Sequence, residues 1–383
     1  MAEAYIIDAA RSPTGRRRGT LQDVHPADLG AHVIKALVDR NPIPDKEYDD
    51  VIFGTIDAVG PLAGDVARTC WLTAGFDEAV PGVTIDRQCG SSQQSVHFAA
   101  QAVMSGVNDV VIAGGVQTMS KIPIGSSAQA AGAFGFKDPF TDSEAWCERY
   151  GDDPPTQFKG AQMMCDRWGF TRQDLEEYSL ESHRRAKAAI DEGHFDREVV
   201  PLEGLEMDET VRETTLDKMG ELDPIFGLKD ITAAVSSQTC DGSSAMIIAS
   251  EEAVKRYNLT PRARIHHMSV RAEDPMIMLT APIMTTRYAL ERAGMSMDDI
   301  DVVEVNEAFA PVPMAWLKDI GYPHEKTNVN GGAIALGHPI GATGTKLMTT
   351  LLHELERTNG KYGLQTMCEG GGQANVTIIE RLN

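Results

Sequence analysis

No apolar run in these 383 residues approaches the roughly 18–20 needed to span a bilayer. Met1 to Arg18 lacks the charged-then-apolar order of a secretory signal, and Glu380-Arg381-Leu382-Asn383 carries no peroxisomal-type address. Basic residues are scarce, with 35 Lys and Arg against 56 Asp and Glu and a formal net charge of −21. That balance excludes the basic footprint that holds nucleic acid or an anionic membrane surface as partner. An anionic ligand is left only a local positive patch or a helix N-terminus. Cysteine is sparse and unpaired. The six cysteines (Cys70, Cys89, Cys147, Cys165, Cys240 and Cys368) form neither a disulfide framework nor a C-x-x-C metal or redox pair. These absences predict a soluble protein of the reducing cytoplasm with no bound metal.

What is present is an ordinary globular composition, 42% hydrophobic and 24% charged, in a chain long enough for two or three packed units. Short β-rich runs alternate with helical patterns at both ends. "YIIDAA" (5–10), "DDVIFGTIDAV" (49–59) and "DVVIAGG" (109–115) read as strands; "PADLGAHVIKALVDR" (26–40) and "SSQQSVHFAAQAVMSG" (91–106) read as helices. The last third repeats the order. Strands are predicted at 264–270, 298–309 and 363–372, with helices at 283–294 and from Gly337 to Glu356. Asp298 lies 249 residues after Asp49, and His338 lies 249 residues after Cys89. Two equal offsets within one element order point to a duplicated α/β half. In such folds functional groups gather at strand C-termini and helix N-termini, so the duplication predicts Cys89 and His338 at one cleft. Between the halves, from Met119 to about Ser243, a stretch rich in Gly, Ser, Asp and Pro surrounds one helix at 171–193 and reads as an inserted lid.

Four segments carry chemistry. In "TIDRQCGSSQQS" (84–95) a lone cysteine precedes three small residues at a helix start. A helix N-terminus and a nearby histidine can activate such a thiol, and small neighbours would let a substrate approach and free backbone N–H groups as oxyanion donors. Free cysteine is also among the most buried residue types, so position alone leaves both readings open. "GGAIALGHPIGATGT" (331–345) sets His338 among glycines, with no P-loop Lys-Ser/Thr following. "MCEGGG" (367–372) puts Cys368 at a strand end, where a second thiol can give and take a proton. "VNEAFAP" (305–311) places Asn306 and Glu307 at the end of the matching strand.

Together these motifs resemble the thiolases, which cleave 3-ketoacyl-CoA with free CoA or run the reverse Claisen condensation. The resemblance covers essentially the whole chain, from "DAARSPTGRRRGTL" (8–21) to "CEGGG". It implies two duplicated βαβαβαββ-type halves in a five-layered α/β sandwich with an inserted loop domain over the CoA. The halves would span 1–118, completed by about 244–262, and 263–383, with the loop domain at 119–243. It implies Cys89 as the acyl-accepting nucleophile, activated by His338, and Cys368 as the proton donor and acceptor. Asn306 would hold a water that forms one oxyanion hole with His338, and the backbone N–H groups of Cys89 and Gly370 would form the other. Ser237, within "TAAVSS" (232–237), matches the pantetheine-contacting serine. The resemblance implies coenzyme A as co-substrate with no permanently bound cofactor, acyl-CoA as the binding partner, and a homodimer or homotetramer.

Departures cluster where the acyl tail and pantetheine would sit. The usual C-A-S-G is Cys89-Gly90-Ser91-Ser92; Met-Gly-x-Thr-Ala-Glu is replaced by "QFKGAQ" (157–162); Met-Gly-x-Gly-Pro becomes Met278-Leu279-Thr280-Ala281-Pro282. A reshaped acyl pocket with intact catalysis is expected, in a pattern similar to actinobacterial thiolases of lipid or steroid breakdown. Arg184, Arg185 and Lys187, on the lid helix, are candidates for the CoA phosphates. Three functions stand side by side: thiolytic cleavage releasing acetyl-CoA or propionyl-CoA, biosynthetic condensation of two acetyl-CoA, and non-catalytic acyl-CoA binding.

Overall fold

The computed structural model describes residues 2–382. Ten strands join in one sheet: β1 (Ala4–Arg11), β2 (Gly15–Arg16), β3 (Asp50–Gly54), β4 (Gly82–Ile85), β5 (Val110–Thr118), β6 (Cys240–Ser250), β7 (Ala263–Ala272), β8 (Val302–Val305), β9 (Tyr362–Glu369) and β10 (Gln373–Arg381). The order is β4-β3-β5-β6-β1-β7-β10-β9-β8, with the short β2 pairing to β6 off this path. The pattern mirrors about the β1–β7 joint. On each side two antiparallel pairings (β1–β6 and β6–β5; β7–β10 and β10–β9) are followed by a parallel one (β5–β3; β9–β8). The duplication read from the offset is therefore present in the strand pairing. The joint itself is short, Tyr5 opposite Arg264 and Ile6 opposite Ala263.

Helices complete five layers. Helix α1 (Pro26–Arg40) and α2 (Val66–Thr73) cover the outer face of the first half. Pro26 sits in the first turn of α1 and the His25 ring accepts from the Ala27 N–H, while Leu29, Val33, Ile34 and Leu37 supply its apolar stripe. Helix α3 (Ser91–Met104) and its counterpart Thr343–Thr358 lie between the two halves of the sheet. The helices Ala281–Ala293 and Pro311–Ile320 cover the far side.

Burial on both sides explains the odd composition of α3. Its first turns, Ser91 to His97, are wholly buried yet polar. Two of these polar groups reach across the central layer: Gln93 Nε2 donates to Thr377 Oγ1 at 2.8 Å, and the His97 ring meets the same hydroxyl at 2.7 Å. The partner helix is held by Met348, Leu351, Leu352 and Leu355, each fully buried and contributing about 1.5–3 kcal/mol. Gly344 is required where the two helices cross, because a Cβ there would lie 2.1 Å from the Gln93 nitrogen.

Three expectations change. The strand placed at 298–309 is only Val302–Val305, because Met297–Asp299 form a capped 3-10 turn. The helix expected from Gly337 begins at Thr343, after the extended Pro339 and a 3-10 turn at Ile340–Ala342. The inserted segment holds a second substantial helix, Gln157–Trp168, besides Arg172–Asp191. Thr156 caps it through the Lys159 N–H, and Gly169 ends it in the left-handed conformation. Among the described residues no helix is long and apolar enough to cross a membrane.

Candidate active site

The turn before α3 is held by its own side chains. The Arg87 N–H donates to Ser91 Oγ at 2.9 Å, and that hydroxyl donates to the Gln88 carbonyl at 2.6 Å, across a left-handed Gln88 (φ 50). Cys89 is thereby presented at the helix N-terminus on the wall of a mainly apolar cavity. His338, Gly370, Ser237, Phe158, Phe309 and Ile340 share that wall, around a cavity of about 130 Å³ that opens to solvent. Side chains 249 residues apart in sequence thus face one space.

The small residues after Cys89 have a different purpose from the one expected. Gly90, Ser91 and Ser92 are buried, so none opens a path for substrate. Ser91 closes the turn, and Ser92 Oγ accepts the Thr345 N–H at 3.0 Å, tying α3 to the helix that follows His338.

His338 is fixed from both ends. Its backbone N–H donates to the Gln238 carbonyl at 3.1 Å. Its Nδ1 lies 2.6 Å from Thr343 Oγ1, and that hydroxyl donates to the Pro339 carbonyl at 3.0 Å. With its proton so committed, Thr343 accepts from Nδ1–H, which leaves Nε2 as the lone-pair nitrogen. Asn306 Nδ2 approaches Nε2 at 3.5 Å, consistent with that tautomer, while Asn306 Oδ1 is buried with no hydrogen-bond donor. Burial, and then the nearby Lys346 ammonium, hold the imidazole down at about 3, so it is neutral at working pH.

Burial also pushes the Cys89 thiol up to about 12, with the Glu369 carboxyl as the largest charge effect. Against these, the backbone N–H groups of Cys89 and Gly370 both act on the sulfur to favour its anion. Cys368 is buried at the end of β9, and its thiol is pushed well above the usual range by burial and then by the neighbouring Cys89. All six residues implied by the resemblance therefore gather at one place: Cys89, His338, Gly370 and Ser237 on the cavity wall, Asn306 against His338, and Cys368 beside Cys89.

Three supporting residues complete the site; Gln238 and Gln117 carried no sequence signal, whereas Glu307 stood beside Asn306 in the "VNEAFAP" run. Gln238 Nε2 donates to the carbonyls of Thr210 (3.0 Å) and Ile334 (2.9 Å), clamping the loop before His338. Gln117, at the end of β5, accepts from the N–H groups of Ile56 (3.0 Å) and Gly341 (3.2 Å) and so bridges the halves. Glu307 anchors the Asn306 turn to the lid helix, accepting from Tyr178 (3.0 Å), Asn328 (3.1 Å), Ser182 (2.7 Å) and the Ile334 N–H (3.2 Å). Glu307→Ala strands four donors and is expected to cost about 3 kcal/mol or more of stability, measured by denaturant unfolding.

The basic candidates on the lid helix divide. Arg185 is spent on structure, donating to Glu181 and to the carbonyls of His324 and Thr327. Arg184 pairs with Glu181 and Lys187 with Asp191, yet both line an open groove with His183, Arg212 and Lys218.

Comparison with known proteins agrees with this geometry. The family profile "Thiolase, N-terminal domain" matches residues 4–252, and "Thiolase, C-terminal domain" matches 259–381. The steroid 3-ketoacyl-CoA thiolase FadA6 of Mycobacterium tuberculosis is 56% identical over 386 aligned positions, covering 100% of this chain and 95% of its own. A 3-ketoacyl-CoA thiolase of Pseudoalteromonas translucida is 38% identical over 410 positions, and one of Vibrio cholerae 39% over 409, each alignment covering 100% of both chains. Two matched halves, a thiol and an imidazole converging from them, and full-length relatives place this chain in the thiolase family, as an acyltransferase.

Proposed function

We propose that the protein is a degradative 3-ketoacyl-CoA thiolase that cleaves substrates with a bulky acyl group, and that Cys89, His338, Asn306 and Cys368 perform the chemistry. The observation that carries the reading is the convergence of Cys89 and His338 on one apolar cavity beside a second thiol. The Cys89 sulfur attacks the 3-keto carbon as its proton passes to His338 Nε2. The resulting tetrahedral oxyanion is held by the backbone N–H groups of Cys89 and Gly370, while the second hole, where the Nε2–H now donates and Asn306 Oδ1 offers an acceptor for a water, holds the enolate oxygen formed in the next step. Collapse breaks the C2–C3 bond. The electron pair leaves as the enolate of acetyl-CoA, or of propionyl-CoA for a 2-methyl substrate, and takes a proton from Cys368. The acyl group remains on Cys89. Free CoA then enters, Cys368 thiolate removes its thiol proton, and the CoA sulfur attacks the acyl-enzyme; Cys89 leaves as the thiolate and takes back the proton held on His338 Nε2, releasing the shortened acyl-CoA. The Cys89 and Gly370 N–H groups, already directed at the sulfur, serve the tetrahedral adducts formed there.

Within this reading, Ser237 contacts the pantetheine arm, and the groove of His183, Arg184, Lys187, Arg212 and Lys218 offers the charge its phosphates need. The segment 119–243 forms the domain over CoA, between halves at 1–118 and 263–383. The working assembly is a homo-oligomer.

Two observations favour a bulky acyl group: the 56% identity to a thiolase named for steroids, and the aromatic side of the cavity. Phe158, where the usual motif has glycine, packs edge-on to Phe309 (5.5 Å between centroids) and to the exposed Phe226 (4.9 Å). A panel of acetoacetyl-CoA, straight-chain and ring-bearing 3-ketoacyl-CoA, with the released acetyl-CoA or propionyl-CoA measured, tests the reading. Ring-bearing substrates are expected to lead in kcat/KM by about tenfold or more. Acetoacetyl-CoA as the best substrate overturns the bulky-acyl reading and favours the condensing direction. Phe158→Ala is expected to raise KM for the preferred substrate about tenfold with kcat little changed, the signature of lost uniform binding.

A further inference from the structure

Glu369 is fully buried at the end of β9, next in sequence to Cys368, and neither carboxyl oxygen has a hydrogen-bond partner of normal geometry. A stranded carboxyl of this kind costs stability and needs a reason. Its position supplies one. The carboxyl occupies the space that a side chain at residue 90 would fill: a Cβ on Gly90 would lie 2.0 Å from Oε1 and 2.6 Å from the carboxyl carbon. Thus Gly90, the departure from C-A-S-G, and Glu369 are two parts of one arrangement against the first turn of α3. Resting on Cys89 as the nucleophile, we infer that Glu369 is a positioning residue for the Cys89 thiol, a buried carboxyl seated in the notch left by Gly90, whose charge sets how readily that thiol ionises.

The groups that face it are few. Arg87, on the turn before α3, favours the carboxylate, as does the Asn375 N–H from β10. Burial opposes them and dominates, so the carboxyl is held well above the usual carboxylate range. The Cys89 and Cys368 thiols both feel its charge, and Asp86 adds a weaker like-signed push on Cys89. An uncharged Glu369 leaves the thiol easy to ionise; an ionised one opposes the thiolate. The pair would act as a brake that tightens as pH rises.

The test is the pH dependence of Cys89 alkylation by iodoacetamide, followed by peptide mass, which reads the thiol directly and needs no turnover of any thioester. Glu369→Gln keeps shape and removes charge, and is expected to shift the profile about one pH unit lower, making alkylation about tenfold faster at pH 9. Glu369→Asp keeps a carboxyl and is expected to hold the wild-type midpoint. Gly90→Ala is expected to lower kcat/KM at least tenfold by displacing the carboxyl, and Gly90→Ala with Glu369→Ala to recover most of that loss. This double variant also alkylates with the lowered midpoint, which keeps the test open should Glu369→Gln fold poorly. Profiles for Glu369→Gln and the double variant that overlay the wild type, or an equal shift in Glu369→Asp, overturn the inference. Wild-type Cys89 that never acquires an acyl group from a 3-ketoacyl-CoA would instead overturn the functional reading beneath it.

Discussion

Cys89→Ala is expected to abolish acyl transfer, lowering kcat by about 10⁴-fold or more, because the covalent route and its proton relay vanish together. The fold should be untouched. Cys89 is only partly buried and stands just before a helix whose N-cap is Gly90 and whose first turn is closed by Ser91. Circular dichroism and melting temperature should therefore match the wild type while thiolysis is lost. The companion measurement is mass spectrometry of the wild-type protein quenched with 3-ketoacyl-CoA and no free CoA. An acyl adduct is expected on the Cys89 peptide and on no other cysteine peptide. Turnover by Cys89→Ala at more than a few per cent of wild type would sink the assignment.

His338→Ala has the second largest expected effect, about 10³-fold in kcat/KM, with a characteristic change of pH dependence. In the wild type the resting pair is a neutral thiol and a neutral imidazole, since burial raises the former to about 12 and lowers the latter to about 3. The sign of each shift matters. Both uncharged forms are favoured, so no thiolate–imidazolium pair stands ready at neutral pH, and deprotonation must accompany attack. With His338 present, kcat/KM should vary little between about pH 6 and 8, because the base stays unprotonated far below that range. Without it the proton must go to solvent base, and kcat/KM should rise nearly tenfold per pH unit up to the stability limit. A variant with the wild-type flat profile would show that the proton leaves by another route. Free imidazole added to the variant is a further check, expected to restore part of the rate.

Much of this site was legible in the sequence because its chemistry rests on residue types at helix starts and strand ends. Cys89, His338, Asn306 and Cys368 sit in short runs rich in small residues, and a repeated element order related the first two before any coordinates. What was misread shows where local pattern stops being informative. Gly90, Ser91 and Ser92 looked like room for substrate; they are packed against Glu369, Gln88 and Thr345, contacts set by residues as many as 279 positions away. Arg185 looked like a phosphate ligand and is instead a clamp on carbonyls of the 324–328 loop. The helix at Gln157–Trp168 hid in a segment read as lid, since its cap and its glycine stop are single residues and its buried face is the short set Gly160, Ala161, Met164 and Cys165.

The sequence by itself determined the duplicated α/β element order, since periodicity and turn chemistry are local and survive in the linear order, and its resemblance to the thiolases pointed to Cys89, His338, Asn306 and Cys368 as the candidate side chains. Only the tertiary structure decided the protonation of the site. The tautomer of His338 depends on Thr343 and Pro339, its neutrality on burial beside Lys346, and the reluctance of the Cys89 thiol on a dry wall and a carboxyl from another strand. Desolvation and through-space charge depend on which groups meet after folding. That is why Glu369, a single letter between a cysteine and three glycines in the sequence, becomes the largest charge effect on the Cys89 thiol after burial itself.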